Sequence, residues 1–278
     1  FMNKNTLAIH DICSYSKSSL TVVIPIMEAL GVEVCPLPSA ILSTQTDGFK
    51  DFYIKDLSES IKSIFDKFKK ENLQFDCIYT GFLSNEDQIQ IVSEIIGYYK
   101  DNNKSLIVVD PVLGDNKQMY STFDSNYLNA MKKLVPLADI ITPNSTEACL
   151  LLDKSPKDKY SLKEINDMLD GLSELGPKVS VITSLSIEGD DKYYTAYCEN
   201  NRKNLWANEN LNLNYPGCGD LFTSALIAKI LNKESVDNAI KYADTLCHQT
   251  LITTKLNKSA IRNGISTVDA IKYINFSS

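Results

Sequence analysis

Histidine, tryptophan and arginine are scarce in this sequence. Its 278 residues hold two histidines, one tryptophan and two arginines (Arg202 and Arg262), and 28 Lys plus Arg stand against 35 Asp plus Glu for a formal charge of −7. That balance lacks the basic stripe a nucleic-acid partner requires. The single cationic run, KFKK at 67–70, falls late in a helical pattern, where positive charge suits the helix dipole. Seven cysteines lie at least 20 residues apart, so no CxxC pair exists for zinc or thiol exchange. An odd, scattered set of this kind predicts reduced thiols. No apolar run approaches the roughly 18 residues of a membrane span, and the N-terminal residues lack the pattern of a secretory leader. The expectation is a soluble, cytoplasmic protein. Absent too are GxxxxGK[ST], the HRD and DFG pair and GxSxG, which disfavours P-loop enzymes, protein kinases and the usual serine hydrolases. His10 sits in a strand-like apolar run and is expected to be a satisfied core or pocket-wall residue rather than a general base; His248 reads as structural.

What the sequence does have is alternation. Strand patterns at 6–11, 32–37, 75–82, 105–111, 138–144 and 178–184 interleave with helical ones at 19–30, 57–70, 85–100, 125–134, 145–152 and 161–175. A hairpin over 192–198 and 203–207 follows, and helices at 219–231 and 235–253 close the pattern. Parallel strands need long crossovers, so the order predicts an α/β fold: one domain over 1–278 with a mainly parallel sheet, helices on both faces and a small lid region. Ligands in such sheets bind beyond the carboxyl ends of the strands. The unusual residues collect there: Asp11, Gly81, Asp110, Asn144, Thr183 and Ser184.

Three segments suggest phosphate chemistry. In NYPGCGDLF (214–222), Gly217 and Gly219 open an apolar helix whose unpaired amides and dipole could cradle an anion. Asp220 beside that cradle would repel a phosphate unless it accepts a proton from an attacking hydroxyl. DPVLGD (110–115) and TPNSTEA (142–148) supply Asp110, Asn144 and Glu147, oxygen ligands suited to magnesium on a nucleotide phosphate. Each also has a structural reading: Asp110 fits the end of a strand before a proline, and Asn144 with Glu147 fits a variant of the capping box.

With these segments, AIHDICSYSKSSLTVVIPIMEALGVEVCPLPSAILSTQT (8–46), YTGFLSN (79–85) and VITS (181–184), the chain resembles the ribokinase superfamily and, within it, pyridoxal kinases of the bacterial type. The resemblance covers almost the entire chain and implies ATP-dependent phosphorylation of the 5'-hydroxymethyl group of vitamin B6 forms. It implies Asp220 as base, an anion hole at Gly217, Cys218 and Gly219, and Mg-ATP organised by Asp110, Asn144 and Glu147. Thr142, Thr183 and Ser184 would lie near the nucleotide phosphates and a monovalent cation such as K+. Asp11, Thr46 and Phe82 would line the vitamer slot, with Ser43 and Gln45 nearby, and a homodimer is implied. Asp11, Ser16, Phe82 and Cys218 depart from the residues common at those positions (Ser, Gly, Tyr, and Thr or Val), which leaves the preferred vitamer open. Two alternatives stay open as well: a hydroxymethylpyrimidine kinase, and a catalytically weak homologue that binds pyridoxal phosphate.

Overall fold

The structure, a computed structural model, describes residues 3–46 and 48–277. In chain order its elements are β1 (Lys4–Tyr15), α1 (Leu20–Ala29), β2 (Val32–Thr44), β3 (Ile54–Asp56), α2 (Ser58–Lys70), β4 (Cys77–Thr80), α3 (Glu86–Asn103), β5 (Leu106–Val109), β6 (Gly114–Asp115) and β7 (Gln118–Met119). There follow α4 (Ser125–Leu134), β8 (Ile140–Ile141), α5 (Ser145–Leu151), α6 (Leu162–Glu174), β9 (Val179–Ser186), β10 (Tyr193–Glu199), β11 (Arg202–Asn208), α7 (Cys218–Leu231), α8 (Val236–Leu256) and α9 (Thr267–Ser277).

Nine strands form one sheet in the order β11-β10-β9-β8-β5-β4-β1-β2-β3. Every pairing from β2 through β9 in that order is parallel, and antiparallel pairs occur only at its margins, β3 on β2 at one edge and β10 and β11 beyond β9 at the other. This is the expected α/β arrangement.

Side-chain alternation along the central strands feeds two separate cores. Leu7, Ile9, Ile78, Ile107, Val109, Ile141 and Ile182 face the layer that holds α2 to α6. Ala8, Tyr79, Val108, Ile140 and Val181 face α1, α7, α8 and α9. Within the second layer α7 is buried along Leu221–Ala228, where Thr223 and Ser224 are the only polar side chains in an otherwise apolar stretch. That burial fixes its axis and aims its N-terminus at the carboxyl ends of the strands.

The local signals that set the boundaries are legible. Asn85 caps α3 by accepting from the Gln88 amide at 2.9 Å, and Ser161 with Glu164 forms a capping box at α6. Gly31, at φ 81°, follows the end of α1. Differences from the sequence reading are of extent and of small added elements. β1 and β2 run several residues longer, and the central strands expected over 75–82 and 138–144 shorten to β4 and the two-residue β8. The stretch between the expected strand 32–37 and helix 57–70 contains β3, residues 114–119 form the small β6–β7 ribbon, and α9 follows the two helices expected to close the pattern.

Candidate active site

A cavity of about 770 Å³ opens at the carboxyl ends of β1, β4, β5, β8 and β9. It is lined by Asp11, Thr46, Phe82, Asp110, Thr142, Asn144, Glu147, Thr183, Ser184 and Gly217 to Asp220, so all but one of the residues nominated from sequence meet there. The exception is Ser43. It stands in the stretch of β2 beside β3 and is not part of the lining; its hydroxyl accepts the Tyr53 amide at 2.8 Å. The reason is strand geometry: β2 continues to Thr44 and commits Ser43 to the sheet edge.

Gly217 caps α7 with φ 87°. A Cβ there would stand 2.7 Å from the Lys17 carbonyl oxygen, so the position requires glycine on both conformational and steric grounds. Gly219 differs, because a Cβ would meet only Asp110 Oδ2 at 3.7 Å, an ordinary contact. Its bareness keeps the floor of the cavity open. The Cys218 amide donates to Tyr215 O at 3.4 Å, whereas among the described residues the amides of Gly219 and Asp220 have no backbone acceptor. The donors at this helix start without a backbone acceptor among the described residues are therefore Gly217, Gly219 and Asp220, and of the three nominated anion-hole amides Cys218 alone is engaged.

Asp220 is 14% exposed. Its Oδ2 accepts the Ser19 amide at 2.7 Å, and burial, with the Asp11 charge adding, pushes its carboxyl up to about 6 against the pull of that hydrogen bond. Ser19 itself is held at φ 49° and donates its hydroxyl to Asp11 Oδ1 at 2.5 Å. Cys13 donates its thiol to Asp11 Oδ2 at 3.3 Å. Burial raises the Asp11 carboxyl, with both donors opposing. Ser19 thus ties the two acids together, a role that sequence reasoning missed because it placed Ser19 inside the helix; the serine cluster SKSS ahead of an apolar run was the available signal.

On the opposite wall, Asn144 and Glu147 form the capping box of α5. Asn144 Oδ1 accepts the Glu147 amide at 3.0 Å and Glu147 Oε2 accepts the Asn144 amide at 2.9 Å. Glu147 Oε1 also accepts the Leu113 amide at 3.1 Å, and Asn144 Nδ2 donates to Gly114 O at 2.8 Å. Both side chains are thus engaged in holding the 110–115 loop against α5. Of the three residues nominated as metal ligands, Asp110 alone keeps a carboxylate without a hydrogen-bond partner among the described residues, and burial, then the charges of Glu147 and Asp220, raise it well above the usual carboxylate range. No group of three His, Cys, Asp or Glu side chains among the described residues is arranged to hold a metal by itself. The Thr142 hydroxyl accepts from Thr223 at 3.0 Å, and Ser184 adopts φ 61° where the β9–β10 register slips. Burial, with the Asp220 and Asp115 charges adding and the Tyr215 backbone hydrogen bond opposing, pushes the Cys218 thiol up to about 12, which disfavours its thiolate.

The cavity is strongly acidic, with Asp11, Asp110, Asp115, Glu147, Asp158 and Asp220 against Lys117 and Lys157. Those lysines pair with Asp158 and Glu164. Asn214 closes part of the mouth by donating to Asp115 Oδ2 at 2.9 Å. A short turn over 261–265, outside the cavity, braces three of its segments: the Lys17 amide donates to Asn263 O, Gln45 Nε2 to Arg262 O and the Ile265 amide to Pro216 O. Gly264 in this turn packs so closely that a Cβ would stand 2.1 Å from Lys17 O.

Comparison with known proteins agrees with this geometry. The family described as phosphomethylpyrimidine kinase matches residues 24–268. Pyridoxal kinase of Ovis aries is 30% identical over 221 residues, covering 73% of this chain and 69% of that protein. A candidate pyridoxal kinase of Schizosaccharomyces pombe is 31% identical over 181 residues, covering 62% of this chain and only 52% of that longer protein. Among solved structures, a candidate phosphomethylpyrimidine kinase from Bacteroides thetaiotaomicron, in an orthorhombic form with pyridoxal, has a TM-score of 0.93 at 36% identity, covering 99% of this chain and 96% of that one. Pyridoxal kinase from Lactobacillus plantarum has a TM-score of 0.88 at 25% identity, with coverage of 99% and 97%. The chain therefore belongs to the phosphomethylpyrimidine kinase family, grouping with its pyridoxal kinases on a ribokinase-like α/β fold.

Proposed function

We propose that the protein transfers the γ-phosphoryl group of ATP to the 5'-hydroxymethyl group of a B6 vitamer. The observation that carries this reading is the seat of Asp220: a carboxylate in the first turn of a buried helix, held by Ser19 N–H and facing a cavity with unpaired helix amides. Asp220 takes the hydroxyl proton as the acceptor oxygen attacks phosphorus. The Gly217, Gly219 and Asp220 amides, with the dipole of α7, receive the developing negative charge. Asp11, Thr46 and Phe82 form the acceptor slot, and the Bacteroides thetaiotaomicron structure, a form with pyridoxal, supports a B6 vitamer as the acceptor. A smaller cavity of about 110 Å³ shares Thr183, Ser184 and Gly219 with the larger one and continues between β10 and α8, which supports seating the nucleotide base there.

The donor set fits a hard divalent cation carried on the phosphates. Asp110 offers an uncompensated buried carboxylate, and six acids in one cavity would otherwise repel ATP. Asp110 would hold the cation directly, while Glu147 and Asn144 would keep the loop that carries it in place. Bound there, Mg2+ supplies charge neutralisation to the phosphates. The seven free cysteines support a reducing, cytoplasmic setting.

The family description, phosphomethylpyrimidine kinase, favours a second reading, a pyrimidine acceptor: hydroxymethylpyrimidine or its phosphate. Steady-state ADP release against a panel of B6 vitamers, hydroxymethylpyrimidine, its phosphate and sugars separates the two. Turnover with vitamers is the expected result; turnover with the pyrimidine alone would select the second reading, and tight vitamer binding without ADP would point to a non-catalytic binder.

A further inference from the structure

We propose that His10 is a positioning residue for Asp220, steadying Oδ1 while the Ser19 amide holds Oδ2. The inference rests on the reading of Asp220 as the base. His10 lies on β1 with no exposed surface, and among the described residues neither ring nitrogen has a hydrogen-bond partner. The sequence expectation of a satisfied core histidine is thus half right: the ring is in the core and its nitrogens are orphaned. Buried polar groups without partners are rare and costly, and each asks for a physical reason.

Nδ1 lies 3.8 Å from Asp220 Oδ1, less than an ångström beyond hydrogen-bond reach. Two neighbours keep it there. Tyr79 packs edge-on against the imidazole with centroids 4.3 Å apart and planes at 73°. Gly81 supplies the space, since a Cβ would fall 2.1 Å from Nδ1 and 2.4 Å from Cε1. An imidazole in this place therefore requires glycine at 81, in a loop where nothing else demands it: Gly81 has no positive φ.

Burial pushes the imidazole down to about 3, so it stays neutral and is no base. A neutral imidazole still carries one N–H. The titratable groups on the elements around it are Asp220 on α7, Asp11 on β1, Tyr79 on β4 and Asp110 beyond β5; of these the Asp220 carboxylate stands 3.8 Å from Nδ1, and an acceptor on that side favours the Nδ1–H tautomer. Catalytic hydrogen bonds that are long without ligands tighten in the substrate complex. Such a contact would fix the carboxylate rotamer and leave the other lone pair of Oδ1 for the acceptor hydroxyl.

The test compares two side chains of nearly the same shape. His10→Gln retains an N–H donor and His10→Met does not. In steady-state assays with ATP and a vitamer, His10→Met should lower kcat about 10- to 100-fold with KM for both substrates nearly unchanged, and His10→Gln should restore most of the loss. Gly81→Ala keeps the imidazole but displaces it, and should lower kcat in the same way even if His10→Met fails to fold. Wild-type kcat in Gly81→Ala or in His10→Met, equal loss in His10→Met and His10→Gln, or a loss confined to KM would overturn the proposal. Asp220→Asn run alongside separates the causes: turnover surviving in that variant refutes the assigned base itself, whereas an inactive Asp220→Asn with an unaffected His10→Met refutes this inference alone.

Discussion

The Ser19 amide donates to Asp220 Oδ2 at 2.7 Å, joining the start of α1 to the start of α7 across 201 residues of sequence. The bond needs only an oxygen acceptor. Asp220→Asn can preserve it through the amide oxygen while losing the capacity to take a proton. The expected result is a fall in kcat of about 100- to 10,000-fold with nucleotide affinity and melting temperature close to those of the parent, measured by coupled ADP release, calorimetry and thermal melts.

The pH dependence follows from the same carboxyl. A base works when ionised, and burial with the neighbouring Asp11 charge pushes Asp220 up to about 6. The rate kcat/KM should rise with pH through that value and level off above it. Asp11→Asn, which removes the neighbouring charge, should move the acid limb downward. A limb near the ordinary carboxylate value of about 4 in the parent protein would count against the buried seat.

Stability should run the other way. Asp11, Asp110, Glu147 and Asp220 all have carboxyls raised in the fold, chiefly by burial. The folded state then binds these protons more tightly than the unfolded state. Their contribution is complete below the unfolded carboxylate value and is lost as pH climbs through the folded ones. Ligand-free protein should melt at a higher temperature at mildly acidic pH than at mildly alkaline pH. Added Mg2+ should narrow that gap by compensating the charge, and thermal melts across pH with and without the cation provide the check.

The two glycines of the 217–220 segment should behave differently. Gly217→Ala meets the Lys17 carbonyl at 2.7 Å and a φ of 87°, so it should cost about 1–3 kcal/mol of stability and most of the turnover. Gly219→Ala finds ordinary space and should fold normally. Its deficit should appear in kinetics, as weaker phosphate binding. Urea unfolding paired with steady-state kinetics distinguishes the two patterns.

The sheet, the helices and the carboxyl-end location of the cavity were legible because each central strand alternates between two apolar layers and each crossover carries a helical period. Asn144 and Glu147 were legible as a pair but ambiguous in role. The same spacing of three that suits a cation is the spacing of a capping box, and only their partners, the amides of Leu113 and Glu147, resolve it. Ser43 was misplaced because nothing in the residues of a polar stretch announces β3, whose three residues are all exposed and pair only with the outer end of β2. Ser19 was missed because the sequence pattern makes it the first residue of a helix. Its hydroxyl on Asp11 was hinted at by the serine cluster before it; its amide on Asp220 is a donor that every residue except proline possesses and that no composition marks as special.

The turn at 261–265 touches no ligand-facing surface, yet the loops before α1, after β2 and before α7 all lean on it. It works as a keystone. A cut or an insertion near residue 260 should leave the nine strands folded and let those loops drift apart, so the molecule would lose its chemistry well before it lost its architecture.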